Sequence, residues 1–290
     1  MHELAPDSFA QASHLLHGFA HFLVVPTLLQ RLVPARMWML EDTDRSACLC
    51  WDMLDSILFL VGNPADPQLH QALRRLFGNT VLPAARQRDL STLHLQFQPA
   101  NWQEQLPGVL PDLDLRPKAI YFYTQPAPSS QEFRRTQPTA PAGFELHAIT
   151  SDLLTSASWT NLAVVAATIK ACWRTLENYQ AHGRGYCLVH GQTVAAWCST
   201  DFVFDGQCEL YVETFPPYQR QGCGTLVAQA CVTECLRQGL SIHWHCWEDH
   251  HGSIRIAEHA GLTKAAECPG YWIQVRPEAS RSEEFPQAGD

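Results

Sequence analysis

The stretch Cys208–Gly224, CELYVETFPPYQRQGCG, decides the fold together with the helix that follows it. In Cys208–Thr214 successive side chains alternate between two faces, which is the period of a β-strand. The two prolines after Phe215 end this strand, because proline has no N–H to donate to a ladder. From Thr225 onward apolar residues recur at helical spacing. The stretch therefore predicts a strand, a glycine-containing loop and a helix in direct succession.

The loop Gln219–Gly224 (QRQGCG) carries two glycines immediately before the helix. The first amides of a helix have no intrahelical acceptor and lie at the positive end of its dipole, so such a loop is suited to phosphate oxygens. A P-loop would need Gly-Lys-Ser/Thr and a dinucleotide fingerprint would need a third glycine; this loop has neither. The alternative is a strand–turn–helix corner in which the glycines only relieve crowding.

The Gln-x-x-Gly-x-Gly pattern of this loop resembles the pyrophosphate loop of the GNAT (Gcn5-related) acyltransferases. A predicted strand at Ser241–Trp247 follows, and then His250, Ser253 and a short helix ending at Gly261-Leu262. Many GNAT proteins have Asn-x-x-Ser and Gly-Phe at these places. The sequence is also similar to a bacterial GNAT acetyltransferase subfamily in three short motifs: Trp244-His245-Cys246-Trp247, Glu213-Thr214 and Trp197-Cys198.

The resemblance implies an α+β fold with a mixed sheet, and the order of elements suggests that it occurs twice. Each half has the same order of elements: three strands, a loop and a helix. In this order Leu58–Phe77 occupies the place that Leu210–Leu236 has in the second half. We therefore expect two GNAT-like domains in tandem. The first loop has two prolines in place of the glycines, which removes amide donors, so we expect a degenerate first domain. The alternative for the first half is an unrelated α+β domain.

The expected domain limits follow from composition. Residues 1–124 form the degenerate GNAT-like domain, and residues 125–143, rich in Pro, Ser, Thr and Gln, form a linker. Residues 144–276 form the catalytic GNAT domain. Residues 277–290 are polar without periodicity and are predicted to be a disordered tail.

The resemblance implies that acetyl-CoA, or another acyl-CoA, is the co-substrate. Pantetheine would lie beside the end of the strand at Thr214, and the pyrophosphate would sit on the loop amides. The residues implied to bind the cofactor are Thr214, Gln219, Arg220, Gln221, Gly222, Cys223, Gly224, Thr225, His250 and Ser253. Cys223 could also be read as a reactive thiol at a helix N-terminus, but GNAT loops commonly have a small or apolar spacer there.

Acyl transfer from CoA to an amine needs a general base, and the strand offers Glu209 and Glu213 on one face. Either can be the base, and His245 and Glu248 are further candidates. The family's usual acid for the leaving thiolate is a Tyr, but the corresponding position here is Ala257. Solvent or Ser253 would then have to supply that proton. The N-terminal domain would shape the pocket for the acceptor.

Composition limits the remaining possibilities. With 46% hydrophobic and 17% charged residues the chain is globular, and its net charge of −9 argues against a nucleic-acid partner. No apolar run reaches the roughly 18 residues that span a membrane. The eleven cysteines and the absence of a signal peptide favour a reduced, cytoplasmic protein. The scattered Cys and His residues lack the spacing of a zinc site, so we expect no metal.

These observations predict an acetyl-CoA-dependent N-acyltransferase that acts on a small amine-bearing acceptor. The identity of the acceptor and the oligomeric state are not readable from the sequence. A second interpretation is a non-catalytic acyl-CoA-binding or ligand-sensing module on the same scaffold. A third is an interaction protein, which the intact glycine loop disfavours.

Overall fold

The computed structural model describes residues 1–42, 45–128, 136–156 and 158–276. The predicted tail, 277–290, and residues 129–135 of the predicted linker lie outside the described residues. The chain divides into two compact units. Among the described residues, unit 1 contains Met1–Ile120 and residues 267–276, and unit 2 contains Tyr121–Ala266. Among the helices that the structure describes, none has the length and apolar character needed to cross a bilayer.

Unit 1 is built on a seven-stranded mixed sheet in the order β1-β2-β3-β4-β5-β14-β6. Its strands are β1 (His2–Glu3), β2 (Ala35–Asp42), β3 (Arg45–Asp52), β4 (Ile57–Val61), β5 (Thr92–Gln98), β6 (Leu115–Pro117) and β14 (Gly270–Gln274). Its helices are α1 (Ser13–Leu16), α2 (Val24–Leu29), α3 (Pro67–Leu76), α4 (Leu82–Gln87) and α5 (Trp102–Val109). A π-helical turn, Phe77–Val81, joins α3 to α4, and 3-10 turns occupy Pro6–Ala12 and His17–Phe19.

Unit 2 has a second seven-stranded sheet in the order β13-β7-β12-β11-β10-β9-β8. Its strands are β7 (Ile120–Gln125), β8 (Phe144–Ala148), β9 (Gly185–His190), β10 (Thr193–Phe204), β11 (Gln207–Thr214), β12 (Ser241–Trp247) and β13 (Thr263–Cys268). Its helices are α6 (Ser151–Ser156), α7 (Leu162–Trp173), α8 (Leu176–His182), α9 (Cys223–Arg237) and α10 (His251–His259). A 3-10 turn at Pro216–Tyr218 precedes the glycine loop.

Helices cover both faces of the second sheet, and each group of helices packs against a different set of side chains from its strands. Helices α9 and α10 pack on the face that carries Cys198, Cys208 and Leu210. Helices α6, α7 and α8 pack against the opposite face, which carries Cys187 and Trp197. Alternation of side chains along a strand places Glu209, Tyr211 and Glu213 on the face opposite α9. This arrangement positions the candidate site.

Two strands do not lie where the sequence placed them. Residues up to 124 were expected to belong to the first domain, but β7 lies in the sheet of unit 2, between β13 and β12. Residues 144–276 were expected to form the second domain, but β14 lies in the sheet of unit 1 and pairs with β5 and β6. Side-chain alternation predicts a strand but carries no information about a distant partner, which explains both differences.

Two long stretches rich in apolar residues form short helices separated by breaks. The region Ser8–Leu32 consists of 3-10 turns and the short helices α1 and α2, with Pro26 tolerated in the first turn of α2. The region Ser158–Tyr179 breaks at Arg174, whose φ is 65°. Thr175 then caps α8 by accepting a hydrogen bond from the Asn178 amide. The cap stabilises a new helix start and so favours the break.

Candidate active site

The centre of unit 2 contains a gap between two parallel strands. Strands β11 and β12 pair from Gln207–Ser241 to Glu209–His243 and no further, although β11 continues to Thr214 and β12 to Trp247. On its other side β11 stays paired with β10 as far as Thr214–Ala196. The two parallel strands therefore separate beyond Glu209, and the backbone of the second half of β11 has no partner strand on that side.

The backbone of β11 presents polar groups to this gap. Phe215 donates its N–H to the carbonyl of Ala195 in β10, at 2.9 Å. Because successive N–H groups of a strand point in opposite directions, those of Thr214 and Val212 point away from β10 and into the gap. An extended amide-containing chain placed there could pair with β11 as a missing strand would.

The glycine loop leads from this gap to the N-terminus of α9. Leu226 donates its N–H to the Gly222 carbonyl at 3.0 Å, so the amides of Cys223, Gly224 and Thr225 precede the first turn of intrahelical bonds. Arg220 and Gly222 adopt positive φ values of 58° and 79°. The three amides lie at the positive end of the helix dipole, which favours an anion.

Gly224 is needed for close packing. A Cβ at this position would lie 2.7 Å from Thr214 Oγ1 and 3.0 Å from Ile256 Cδ1. The glycine thus allows α9 to approach the end of β11 and helix α10. By contrast, a Cβ at Gly222 would meet nothing within 4 Å, so its requirement is the positive φ.

The polar side chains of the loop hold the loop itself. Gln219 Nε2 donates to the Thr214 carbonyl at 3.1 Å, and Gln221 Nε2 donates to the Pro217 carbonyl at 2.9 Å. The side chain of Arg220 is exposed. The side chains of these two predicted cofactor residues therefore stabilise the loop backbone. Their backbone N–H groups belong to the loop that precedes α9.

Three other predicted cofactor residues have different surroundings. Cys223 is buried, and burial raises the pKa of its thiol, which favours a spacer over a reactive nucleophile. Ser253 is 9% exposed, and its Oγ accepts a hydrogen bond from Trp244 Nε1 at 3.0 Å. His250 occupies the N-cap position of α10. The Ala257 side chain is fully buried and supplies no acid.

Glu209 forms a pair with His245 at the closed end of the gap. The carboxylate is 5% exposed, and its Oε1 is hydrogen-bonded to His245 Nδ1. The His245 ring lies 6.0 Å from the Phe122 ring and remains 25% exposed. The carboxylate thus holds the imidazole through Nδ1, and an imidazole can accept or release a proton near neutral pH. Strand position alone suggested both residues, but their contact depends on the register of β11 and β12.

Glu213 lies on the same face, two positions beyond Tyr211. Its Oε2 accepts a hydrogen bond from Trp197 Nε1 at 3.1 Å. The Trp197 ring also packs against Tyr211, with 5.2 Å between the ring centroids. Glu213 is therefore held in place by a neutral donor. An indole N–H carries no positive charge, so this contact does not neutralise a carboxylate. The sequence named Glu213 but gave no sign of the indole partner.

Unit 1 lacks the corresponding gap. Its parallel strands β4 and β5 pair from Ile57–His94 to Val61–Gln98, which is the full length of β4. The following helix, α3, is capped by Asp66, which accepts a hydrogen bond from the Gln68 amide at 2.9 Å. A cleft of about 510 Å³ beside this loop is lined by Asn63 and Asp66, and a carboxylate there repels phosphate. The expected degeneracy of the first domain thus has a structural basis.

The described residues contain no group of three or more His, Cys, Asp or Glu side chains arranged to hold a metal ion. The candidate site is therefore composed of backbone amides, two carboxylates and an imidazole. Such a set can bind an anionic ligand at one end and exchange a proton at the other.

Comparisons with known proteins agree with this geometry. The family model for GNAT acetyltransferase matches residues 13–271. The uncharacterized N-acetyltransferase YdfB of Bacillus subtilis (strain 168) is 23% identical over 217 residues, which are 74% of this chain and 77% of that protein.

Solved structures share the fold over nearly the whole chain. A GCN5-related N-acetyltransferase-like protein from Streptococcus suis 89/1591 has a TM-score of 0.64 at 16% identity, covering 93% of this chain and 100% of the other. A tandem GNAT protein from the clavulanic acid biosynthesis pathway has a TM-score of 0.58 at 14% identity, covering 95% and 98%. The predicted fold class and tandem arrangement are confirmed, and the chain belongs to the GNAT acetyltransferase family as a GNAT-type N-acetyltransferase.

Proposed function

We propose that the protein transfers an acetyl group from acetyl-CoA to a small amine, with the Glu209–His245 pair as the general base. Acyl transfer from CoA is the general activity of the family. The observation that carries the proposal is the contact between Glu209 and His245 at the point where β11 and β12 separate. This contact puts a proton-accepting group, the His245 imidazole, next to the gap between β11 and β12 in which the cofactor would bind.

The residues around the gap fit an acyl-CoA. The amides of Cys223, Gly224 and Thr225 would hold the pyrophosphate, because they are unpaired donors at a helix N-terminus. The backbone of Val212 and Thr214 would hold the amides of pantetheine. Gln219 would act indirectly by fixing the Thr214 carbonyl. Bound acetyl-CoA supplies the acyl group as a thioester, whose C–S bond breaks as the C–N bond to the acceptor forms.

The proton transfers fall to the side chains on the open face of β11 and β12. The His245 imidazole would take a proton from the acceptor ammonium, and the Glu209 carboxylate would stabilise the imidazolium that results. Glu209 itself is too buried to be the first proton acceptor, which is why the pair is proposed in place of a lone carboxylate. Solvent would protonate the departing thiolate, because Ala257 offers no acid and Ser253 is engaged by Trp244.

Cofactor binding is tested by a thermal-shift titration with acetyl-CoA. A ligand at about 100 times its dissociation constant stabilises the native state by roughly 2.7 kcal/mol, a shift that is easily measured. The double variant Gly222→Asp, Gly224→Asp puts carboxylates at the helix N-terminus and should abolish the shift. The matched control, Asp66→Ala in the corresponding loop of unit 1, should keep it. No shift for the wild type at saturating acetyl-CoA would refute the proposal.

The base is tested by turnover on a panel of primary amines. His245→Asn and Glu209→Gln should each lower kcat/KM by about 10²–10⁴, the contribution typical of general base catalysis, while the acetyl-CoA shift persists. The two losses should not multiply in the double variant, since the residues act as one unit. Binding of acetyl-CoA without turnover on any amine would favour the alternative of an acyl-CoA-binding module.

A further inference from the structure

One face of β11 combines negative charge with an exposed aromatic ring. Glu209, Tyr211 and Glu213 alternate along the strand and so point to the same side of the sheet. Tyr211 is 39% exposed, which is unusual for a large side chain in this molecule. Its ring is supported from behind by Trp197, whose side chain is fully buried. The face therefore presents a fixed ring between two carboxylates.

Neither carboxylate is paired with a lysine or an arginine among the described residues. Within the part of the chain that the structure describes, Glu213 bonds to the Trp197 indole and Glu209 to the His245 imidazole, and no Lys or Arg pairs with either. Elsewhere in this unit the partly buried Glu234 is held by Arg237. A partly buried carboxylate is costly without a cation, so Glu213, whose bond is to a neutral indole, makes this face suited to a positively charged ligand.

We propose that the acceptor is an alkyl amine with a second positive charge, and that Glu213 and Tyr211 bind this second ammonium while the first reacts at His245. The inference rests on the proposed function and names its substrate class. The carboxylate of Glu213 accepts charge-assisted hydrogen bonds from the distal ammonium. The Tyr211 face adds a cation–π contact, strengthened because the ring is held rigidly by Trp197.

The geometry also sets the length of the acceptor. Glu209 and Glu213 are four residues apart on one strand, so their Cα atoms are separated by about 13 Å at 3.3 Å per residue. Side chains that lean towards a shared ligand shorten this span. The two ammonium groups should therefore be separated by several methylenes, and cadaverine or spermidine should be preferred over ethylenediamine.

The decisive comparison is cadaverine against n-pentylamine, which have the same number of carbons and differ by one ammonium. Wild type should have a kcat/KM for cadaverine at least tenfold higher, the range expected when a hydrogen-bonded charge pair is gained. Glu213→Gln keeps an acceptor for Trp197 Nε1 but removes the charge. It should erase the preference by raising KM for cadaverine, so that the two amines reach a similar kcat/KM.

Two further variants make the result specific. Glu258→Gln removes an exposed carboxylate from α10 and should keep the full preference, which separates a local contact from the general negative field. Tyr211→Leu keeps an apolar side chain without the ring and should lose part of the preference. Equal kcat/KM for the two amines in wild type, or a preference that survives Glu213→Gln, overturns the inference and leaves the proposed function intact.

Absence of turnover on every amine would instead contradict the proposed function, and binding then decides the inference. Calorimetric titration with cadaverine should show binding to wild type that Glu213→Gln weakens about tenfold. No difference between the two proteins would refute the acceptor class. The same titration with n-pentylamine serves as the reference for an amine without the second charge.

Discussion

Gly222 and Gly224 stand two residues apart in the same loop, but the backbone requires them for different reasons. Gly222 has a φ of 79° and open space around it, whereas Gly224 is confined between Thr214 and Ile256. The sequence pattern predicted both glycines as parts of a phosphate loop. It could not show that one serves conformation and the other packing, because the second depends on residues brought together only by the fold.

Gly224→Ala should therefore destabilise the protein by about 1–3 kcal/mol, the usual cost of overpacking a close contact. Thr214→Ala removes the atom nearest to the new Cβ, so the double variant should regain part of this loss. Gly222→Ala should cost about 1 kcal/mol from its positive φ, and Thr214→Ala should not rescue it. Urea unfolding of the wild type, the three single variants and the two double variants measures these effects. Additive effects for Gly224→Ala and Thr214→Ala would contradict the proposed clash.

A second residue-scale consequence concerns the buried thiols. Nine of the eleven cysteines are buried, and burial raises the pKa of Cys187 from 9.0 to about 12. Between these two values the native thiol keeps its proton while the unfolded chain loses it. The native state then binds more protons, and the free energy of unfolding falls as the pH rises. The charge pattern of the sequence carries no hint of this, because it depends on burial.

Cys187→Ala should reduce this alkaline loss of stability. A single such thiol lowers the free energy of unfolding by up to about 1.4 kcal/mol per pH unit above about pH 9. The variant should show a shallower slope between pH 9 and pH 10.5, whatever its offset in stability. Cys172→Ala, at a half-buried position in α7, is the matched control and should change the slope less. Parallel slopes for wild type and Cys187→Ala would show that Cys187 does not titrate differently on folding.

At the scale of elements, α3 and α9 have corresponding places in the two units, but their N-termini are capped differently. Helix α9 begins after Gly222 with no side-chain cap, whereas α3 begins after Asp66, whose carboxylate accepts from the Gln68 amide. A helix that satisfies its own amides has none to offer a phosphate. The sequence predicted this loss from the prolines in the first loop. The structure adds the capping carboxylate and the closed β4–β5 ladder as further causes.

Asp66→Ala should destabilise unit 1 by about 1 kcal/mol, the typical cost of losing an N-cap. It should not create a cofactor site, because β4 and β5 remain paired along their length. Thermal unfolding with and without acetyl-CoA tests both points. A larger ligand-induced shift in Asp66→Ala than in wild type would mean that the cap alone had been blocking unit 1. Asn63→Ala, which loses only a local bond to the Ala65 amide, is the control for damage to the loop.

The strand positions were largely predictable because a strand's alternation is local, whereas the gap between β11 and β12 was not. Its position depends on where the parallel ladder stops, at Glu209–His243. Nothing in either strand alone marks that point. The Glu209–His245 contact follows from the same register, which is why the sequence left four base candidates open. The register shows which two of these candidates are in contact, at the end of the ladder.

At the scale of the whole molecule, each sheet includes a strand from the other half of the sequence. Strand β7 precedes the predicted linker and lies between β13 and β12, while β14 near the C-terminus lies between β5 and β6. Both are interior strands, so neither sheet is continuous without its exchanged strand. The division predicted at residues 124 and 144 therefore cuts through the sheet of unit 2. The units of the structure are instead 1–120 with the stretch from 267, and 121–266.

This exchange predicts which fragments fold. Residues 144–276 omit β7, in which Ile120, Phe122 and Tyr123 are buried. Three buried side chains contribute roughly 5–9 kcal/mol, which is comparable to the whole stability of a domain. The fragment 144–276 should therefore lack a cooperative thermal transition. The fragment 119–268 keeps all seven strands of the sheet, and we expect it to unfold cooperatively and to shift with acetyl-CoA. If instead 144–276 unfolds cooperatively and shows the same shift, β7 is dispensable and the catalytic domain is the one that the sequence pattern predicted.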